Sequence, residues 1–164
     1  MYIDFEKMPQ DARLWVYQAN RDLTEAEVDV VQANLQNTTQ QWAAHGVPLL
    51  ASFKILYNRF VVVAVDEGQN AASGCSIDAS TRWLKELGNH LNIDFFDRSQ
   101  AYLDGENIKT FSIFQAKQQV SNGIISPDAV VFVNDIKTIG DLFTRWKSKA
   151  VNTYLRKYFS GQAV

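Results

Sequence analysis

Apolar and polar residues alternate along several short stretches of the chain, and this period-two pattern is typical of β-strands with one buried face. It predicts a first strand over residues 13–18, and an abundance of β-forming residues predicts a hairpin formed by residues 50–57 and 60–66. Asn58-Arg59 supplies the short turn of that hairpin. Residues 60–65 are apolar without interruption, so this second hairpin strand is predicted to be central and covered on both faces.

Helical spacing replaces the alternation in two segments. The first helix is predicted to begin at Thr24, which with Glu27 forms a capping box, and to end at Gly46. The second is predicted over residues 78–90. Their apolar stripes are Val28, Val31, Leu35 and Trp42, with Thr38 in the gap, and Ile77, Trp83, Leu84, Leu87 and Leu91.

The remaining pattern predicts a hairpin of residues 100–103 and 108–114, a strand over 129–133 and a long C-terminal helix over 139–159. Strand, helix, two strands, helix and strand is the βαββαβ order of a ferredoxin-like core. We therefore expect an α+β fold with a mostly antiparallel sheet and helices packed on it. Its core is predicted to be ferredoxin-like, and the later hairpin, strand and long helix would extend that core.

Composition narrows the class of protein. The 164 residues are 46% hydrophobic and show no repeat or linker, which predicts one α+β domain over residues 1–164. A net charge of −2 argues against binding to nucleic acid through overall charge. No apolar run approaches the length of a membrane helix, and the first residues lack a basic segment followed by an apolar one. The single cysteine excludes an internal disulfide, so a cytoplasmic location is expected.

The stretch from Val65 to Asp78 carries the most chemistry. Two adjacent acids end the buried strand, and a loop of small residues then delivers a cysteine to the start of a helix. The free N–H groups and dipole of a helix start favour anions and thiolates, and small residues let a ligand approach the backbone. The candidate site consists of Asp66, Glu67, Ser73, Gly74, Cys75, Ser76 and Asp78, with His45 as a further candidate and Cys75 as the candidate nucleophile.

A purely structural interpretation of the same residues is equally available. Free cysteine is often buried as a small hydrophobe, and Ser76 or Asp78 can simply cap the second helix. His45 and His90 stand where the two helices are predicted to end, and the helix dipole favours a cation there. The carboxylates lack metal-ligand spacing, so no metal and no cofactor is predicted.

A second surface is predicted at the C-terminus. Its basic residues are Lys137, Arg145, Lys147, Lys149, Arg156 and Lys157, against Asp141 as the only acid. Trp146, Tyr154, Tyr158 and Phe159 lie between them. On one helix these residues would form a docking face for an acidic partner or RNA, or else an amphipathic helix with buried aromatics and solvated charges.

Four segments together resemble a known family. They are residues 14–21 (LWVYQANR), 44–46 (AHG), 65–67 (VDE) and 72–78 (ASGCSID). The chain resembles, over most of its length, a family of small bacterial proteins of uncharacterised activity whose members often carry the label "ABC transporter ATPase". The sequence does not support that label, because it contains no Gly-rich loop with a lysine for phosphates. The resemblance implies no catalytic residue.

Three functional hypotheses stay open on the sequence. In the first, the protein binds a small ligand or a protein partner at the loop from Asp66 to Asp78. In the second, it is an enzyme that uses Cys75 as a nucleophile or the carboxylates as acid and base. In the third, it is a structural or adaptor module that docks through a basic C-terminal helix.

Overall fold

The computed structural model describes residues 1–159, in which the backbone contacts form two compact units. Unit 1 comprises Met1–Asp97 with Asp135–Gly140, and unit 2 comprises Arg98–Asn134 with the chain from Asp141 onwards. The α+β class is confirmed, and the single-domain interpretation stays a prediction. Among the described residues, no helix combines the length and the apolar character needed to cross a bilayer.

Unit 1 is built around a small antiparallel sheet with two long helices. Its elements are β1 (Arg13–Gln18), α1 (Glu25–Gln40), β2 (Ala43–Ala44), β3 (Val47–Pro48), β4 (Leu50–Leu56), β5 (Phe60–Asp66) and α2 (Gly74–Leu91), preceded by a 3-10 turn at Phe5–Lys7. The sheet order is β1-β5-β4, and β2 pairs separately with β3.

β5 is the central strand, as its apolar sequence predicts. It pairs antiparallel with β1 from Arg13↔Val65 to Gln18↔Phe60 and with β4 from Leu50↔Asp66 to Leu56↔Phe60. Each residue from Phe60 to Val65 is fully buried. Alternate residues of the strand therefore enter apolar layers on both faces of the sheet.

α1 begins where the sequence predicts but ends earlier. The Thr24 hydroxyl accepts the Glu27 N–H, and the Glu27 carboxylate accepts the Thr24 N–H, which confirms the capping box. The helix ends at Gln40 rather than near Gly46. The residue that continues the buried stripe is Thr39, not Thr38, and its hydroxyl donates to the Leu35 carbonyl. This bond satisfies a polar group that would otherwise be costly to bury.

α2 packs through small residues as well as leucines. Ser76, Ser80 and Gly88 are buried together with Leu84 and Leu87. The helix ends at Leu91 and is capped by Asn92, whose left-handed conformation is one that asparagine tolerates. His90 is exposed in the last turn, as predicted.

Arg59 is a buried cation that the pattern does not reveal. Tyr57 and Asn58 adopt positive φ in the β4–β5 turn and direct the chain back, and the Arg59 side chain is only 9% exposed. Its Nε donates to the Ala19 carbonyl at 2.8 Å, and its Nη1 lies 3.2 Å from Asp22 Oδ1. These contacts fix the segment between β1 and α1, since a buried guanidinium needs all its partners in place.

Unit 2 holds a second antiparallel sheet. Its elements are β6 (Gln100–Asp104), β7 (Asn107–Phe111), α3 (Ala116–Ser121), β8 (Val130–Phe132), α4 (Ile139–Thr144, which begins at the end of unit 1), β9 (Lys147–Lys149) and α5 (Arg156–Phe159), with 3-10 turns at Ile113–Gln115 and Ala150–Asn152. The sheet order is β7-β6-β8-β9. The predicted hairpin and the strand near 129–133 are confirmed, although the last residues predicted for the hairpin form a 3-10 turn.

The long C-terminal helix predicted over 139–159 is wrong. The chain leaves α4 after Thr144 and pairs with β8 from Val130↔Lys149 to Phe132↔Lys147. Trp146 is buried against Phe132, with ring centroids 4.8 Å apart. Pairing with β8 satisfies backbone groups that a helix would leave bare, and it buries the tryptophan equally well. The basic residues therefore do not form one helical face, and the docking hypothesis that relied on such a face loses its basis.

The ferredoxin-like core stays a prediction. The order β1-β5-β4 is the order that the first three strands of such a core would have, with α1 between β1 and β4 in the chain and α2 after β5. The strand predicted as the fourth, near residues 100–103, belongs to the sheet of unit 2.

Gly88 is the glycine of α2 that no other residue can replace without a shift of the backbone. A Cβ added there would lie within van der Waals overlap of the Ile93 carbonyl oxygen, which is itself fixed in the turn after α2. We expect Gly88→Ala to lower the free energy of unfolding by about 2 kcal/mol. Gly74→Ala is the matched control, because a Cβ at Gly74 meets nothing within 4 Å. Urea denaturation of both variants checks this, and equal stabilities would contradict the close approach.

The Arg21–Glu27 ion pair makes stability depend on pH. Two 2.8 Å bonds from Arg21 and the bond from the Thr24 N–H lower the pKa of Glu27 from 4.5 to about 2. Because the folded protein favours the carboxylate, this contribution is complete above about pH 4.5 and is lost as the pH falls towards 2. We expect Glu27→Gln to destabilise the protein at pH 6 and to differ little from wild type near pH 2.

The matched control is Glu25→Gln, because Glu25 lies in the same first turn and forms no ion pair within residues 1–159. Urea titrations across this pH range measure the difference. A Glu27→Gln effect that is the same at both ends of the range would contradict the assignment.

Candidate functional site

Asp66 and Glu67 end β5, and their carboxylates shape the loop that follows. Asp66 Oδ1 accepts the Gly68 N–H at 3.0 Å, which closes a tight turn directly after the strand. Glu67 Oε2 accepts the Ala72 N–H at 2.8 Å, five residues further on. Both predicted acids therefore bind the backbone of their own loop.

Glu67 also has a charged partner. Its second carboxylate oxygen, Oε1, lies 3.8 Å from Arg13 Nη1 at the start of β1. The Arg13 guanidinium in turn lies over the Trp15 ring, 4.9 Å from its centroid. The loop is thus tied to the neighbouring edge of the sheet through a half-exposed ion pair, which contributes position more than free energy.

α2 begins four residues before the predicted start. Ser73 is the N-cap, and it exchanges hydrogen bonds with Ser76: the Ser73 N–H donates to Ser76 Oγ at 2.7 Å, and the Ser76 N–H donates to Ser73 Oγ at 3.2 Å. The predicted cap at Ser76 or Asp78 is therefore wrong. A serine in place of the usual Glu or Gln at the third helical position explains why the sequence hides this capping box.

Trp42 contacts α2 through a hydrogen bond and through its ring. Its Nε1 donates to the Ser76 carbonyl at 2.9 Å, and this bond is buried. Its ring contacts Trp83, with centroids 4.9 Å apart, and Trp15, at 6.4 Å. Trp42 follows the end of α1 instead of continuing its stripe, so the sequence identified it as a core residue but missed its partner.

His45 does not cap a helix. It occupies, with Gly46, the tight turn between β2 and β3, where both residues adopt positive φ. Two consecutive left-handed residues are what a two-residue hairpin turn requires. His45 is exposed at this tip, and within residues 1–159 no hydrogen bond or ion pair joins it to another candidate residue.

Asn70 joins the loop to the hairpin. Its Nδ2 donates to the Val47 carbonyl of β3 at 3.0 Å. Together with the Trp42–Ser76 bond, this contact holds the loop, the start of α2 and the β2–β3 hairpin in one arrangement. Sequence reasoning missed Asn70, because an amide in a loop of small polar residues gives no pattern of its own.

Cys75 and Gly74 are exposed in the first turn of α2. The first turn carries no acidic side chain, and in the described chain neither residue's N–H has a hydrogen-bond partner. Asp78 is exposed one turn later. The structure thus divides the predicted site into a hydrogen-bonded loop (Asp66, Glu67, Ser73 and Ser76) and exposed residues beside it (His45, Gly74, Cys75 and Asp78).

Acid–base and metal chemistry have little support in this arrangement. Asp66 and Glu67 accept backbone hydrogen bonds, which a general base would have to exchange for a substrate. Within residues 1–159, no three side chains of His, Cys, Asp or Glu are grouped so that they could hold a metal ion.

The Ser73 cap can be tested against the predicted alternative. We expect Ser73→Ala to lower the free energy of unfolding by about 1 kcal/mol, because the substitution removes the acceptor of the Ser76 N–H. Asp78→Ala should change it by less than about 0.5 kcal/mol, because Asp78 is exposed. Thermal or urea denaturation measures both, and the reverse ranking would restore Asp78 as the cap.

Comparison of the chain with protein-family models, with curated proteins and with solved structures gives no match. The resemblance to the family of small bacterial proteins accordingly stays a prediction.

Proposed function

We propose that this chain is a binding protein and that it recognises a protein partner through the surface formed by the loop, the start of α2 and the β2–β3 hairpin. We call this the loop–hairpin surface and define it by six exposed residues: His45, Val47, Ala71, Gly74, Cys75 and Asp78. The observation that carries the proposal is the Asn70–Val47 hydrogen bond, because it joins two separate segments into one surface.

Rigidity supports binding. The loop is fixed through Glu67 and the Ser73–Ser76 cap, and the hairpin is fixed through Asn70. A surface that is ordered before a partner arrives loses less conformational entropy on binding. The same bonds occupy the carboxylates, which supports recognition over catalysis.

The exposed groups suit a protein more than a small molecule. Val47 is 52% exposed and is followed by an exposed proline, so an apolar spot lies beside the free N–H groups at the start of α2. An apolar centre with polar groups at its edge is the usual composition of a protein interface. An acidic side chain of the partner would complement the start of the helix.

Cys75 favours a second candidate function. Its exposure leaves the thiol accessible, and this keeps the enzyme hypothesis with Cys75 as nucleophile as the alternative. We also propose a cytoplasmic location, because a protein with an accessible single thiol suits a reducing compartment.

The test compares Val47→Asp with Gln36→Asp, a matched control at an exposed position of α1. We expect wild type and the control variant to capture the same protein from an extract of the source cells. The Val47→Asp variant should no longer capture it. With the purified partner, affinity should fall by at least about tenfold, and iodoacetamide should alkylate Cys75 more slowly in the complex.

Three outcomes would contradict the proposal. If Val47→Asp captured the partner as well as wild type does, the loop–hairpin surface would not be the binding site. A small molecule that copurifies with wild type and protects Cys75 would replace the protein partner by a ligand. An activity lost in Cys75→Ala while capture persists would favour the enzyme.

A further inference from the structure

The outer edge of β4 carries backbone groups that the sheet does not use. In an antiparallel ladder, successive residues point their N–H and C=O groups alternately towards one neighbour and the other. The N–H of Ala51 donates to the Met1 carbonyl at 2.9 Å, and its carbonyl accepts the Ile3 N–H at 2.8 Å. The N–H and C=O groups of Ala51 therefore point away from β5. The same groups of Phe53 and Ile55, two and four residues further along the strand, point in the same direction.

The N-terminal segment occupies only the first of these positions. Tyr2 forms a parallel bridge with Ala51, and the chain then turns away at Asp4 into the 3-10 turn. In residues 1–159, neither Phe53 nor Ile55 has a main-chain hydrogen bond on the outer side of β4. The protein's own N-terminus thus shows how an extended segment adds to this edge, and within residues 1–159 the backbone groups of the next two positions have no partner on this side.

A depression of about 240 Å³ lies along the open part of the edge. Its lining includes three successive residues of β4, namely Phe53, Lys54 and Ile55. Side chains of neighbouring strand residues point to opposite faces, and a depression that touches all three residues therefore lies against the β4 backbone. The rest of its wall is formed by Tyr2, Val28, Gln32 and Asn58.

We propose that the open edge of β4 binds a short extended peptide of a partner protein, which adds as a strand at Phe53 and Ile55 and places one apolar side chain in the depression. Main-chain donors and acceptors at strand spacing recognise a peptide backbone, and an adjoining pocket selects the side chain. Lys54 is held by Glu6 Oε1 at 3.0 Å, so the rim offers no free cation for an acidic ligand. This site is separate from the loop–hairpin surface and does not depend on it.

A second copy of the chain fits this edge poorly. Symmetric pairing of two β4 strands about Lys54 would place Ala51 opposite Tyr57. Ala51 already binds the N-terminal segment, and Tyr57 adopts a left-handed conformation in the β4–β5 turn. A second copy paired in this way would bring its Tyr57 turn against the N-terminal segment, whereas a short peptide ends before that point.

Amide hydrogen exchange of the free protein tests the geometry. We expect the N–H groups of Phe53 and Ile55 to exchange at least about a hundredfold faster than those of Ser52 and Lys54, which point towards β5. Equal protection of all four would show that the outer edge is already covered and would overturn the proposal.

Binding is tested with blocked pentapeptides of the form Ac-Gly-Thr-X-Thr-Gly-NH2, where X is Ala, Val, Leu or Phe. In the parallel register that Tyr2 adopts on Ala51, a peptide with X opposite Phe53 turns the amides of its two threonines towards β4. We expect a larger apolar X to bind in this register with a Kd below about 1 mM, to weaken at least about tenfold when the two threonine amides are N-methylated, and to protect Phe53 and Ile55 from exchange. N-methylation removes strand hydrogen bonds and keeps the side chains.

Two protein variants locate the site. Gln32→Trp should fill the depression and weaken the peptide at least about tenfold, while Asn34→Trp on the same helix should leave its affinity unchanged, because Asn34 is exposed and lies outside the lining. The proposal fails if no peptide of the set binds, if N-methylation has no effect, or if both variants behave alike. A concentration-dependent dimer that Gln32→Trp abolishes would identify a second copy as the occupant and would also overturn it.

Discussion

Complete burial of β5 is the constraint on which unit 1 depends. Residues Phe60 to Val65 have no contact with solvent, so every peptide group of this strand needs a partner within the protein. β1 and β4 supply those partners on the two sides, and the register leaves none of these six residues unpaired. The apolar side chains then require a covering layer on each face. The helices on one face, including the Trp42–Trp83 contact, follow from this requirement.

Because β5 lies in the centre of the sheet, β1 and β4 are its two edge strands. At β1, the chain from unit 1's second segment closes part of the edge: the Leu14 N–H donates to the Lys137 carbonyl, and the Ile139 N–H donates to the Ala12 carbonyl. At β4, the N-terminal segment closes only the position of Ala51. The two edges therefore differ in how much backbone they leave open, and this difference follows from connectivity, not from composition.

The sequence predicted the elements whose local chemistry agrees with their environment. The continuous apolar run 60–65 is typical of a buried strand, and Thr24 with Glu27 is typical of a helix start. Prediction from the sequence failed where contacts between distant residues determine the local structure. Residues 139–159 have helical spacing, yet pairing with β8 draws 147–149 into a strand. Arg59 is buried because it donates hydrogen bonds to Ala19 and Asp22. The sequence around Arg59 contains no pattern that predicts these partners.

The candidate site stays a prediction, and its local arrangement differs from the one that the sequence suggested. The loop, its acids and the exposed cysteine lie together, but Ser73 and Ser76 share the cap that was assigned to Ser76 or Asp78. His45 lies on a hairpin, because positive φ at two successive residues reverses the chain where a helix end was expected. The bonds from Asn70 and Trp42 that assemble the surface join residues far apart in sequence, so no local rule could supply them.

The short gap at the edge of β4 bears on self-assembly. A long bare strand can template a filament, because each added copy presents the same bare edge to the next one. Here the gap is closed at one end by the N-terminal segment and at the other by the left-handed turn at Tyr57 and Asn58. An added strand would find only two positions on β4 and could not continue along it, so this edge stays unpaired without serving as a template for fibres.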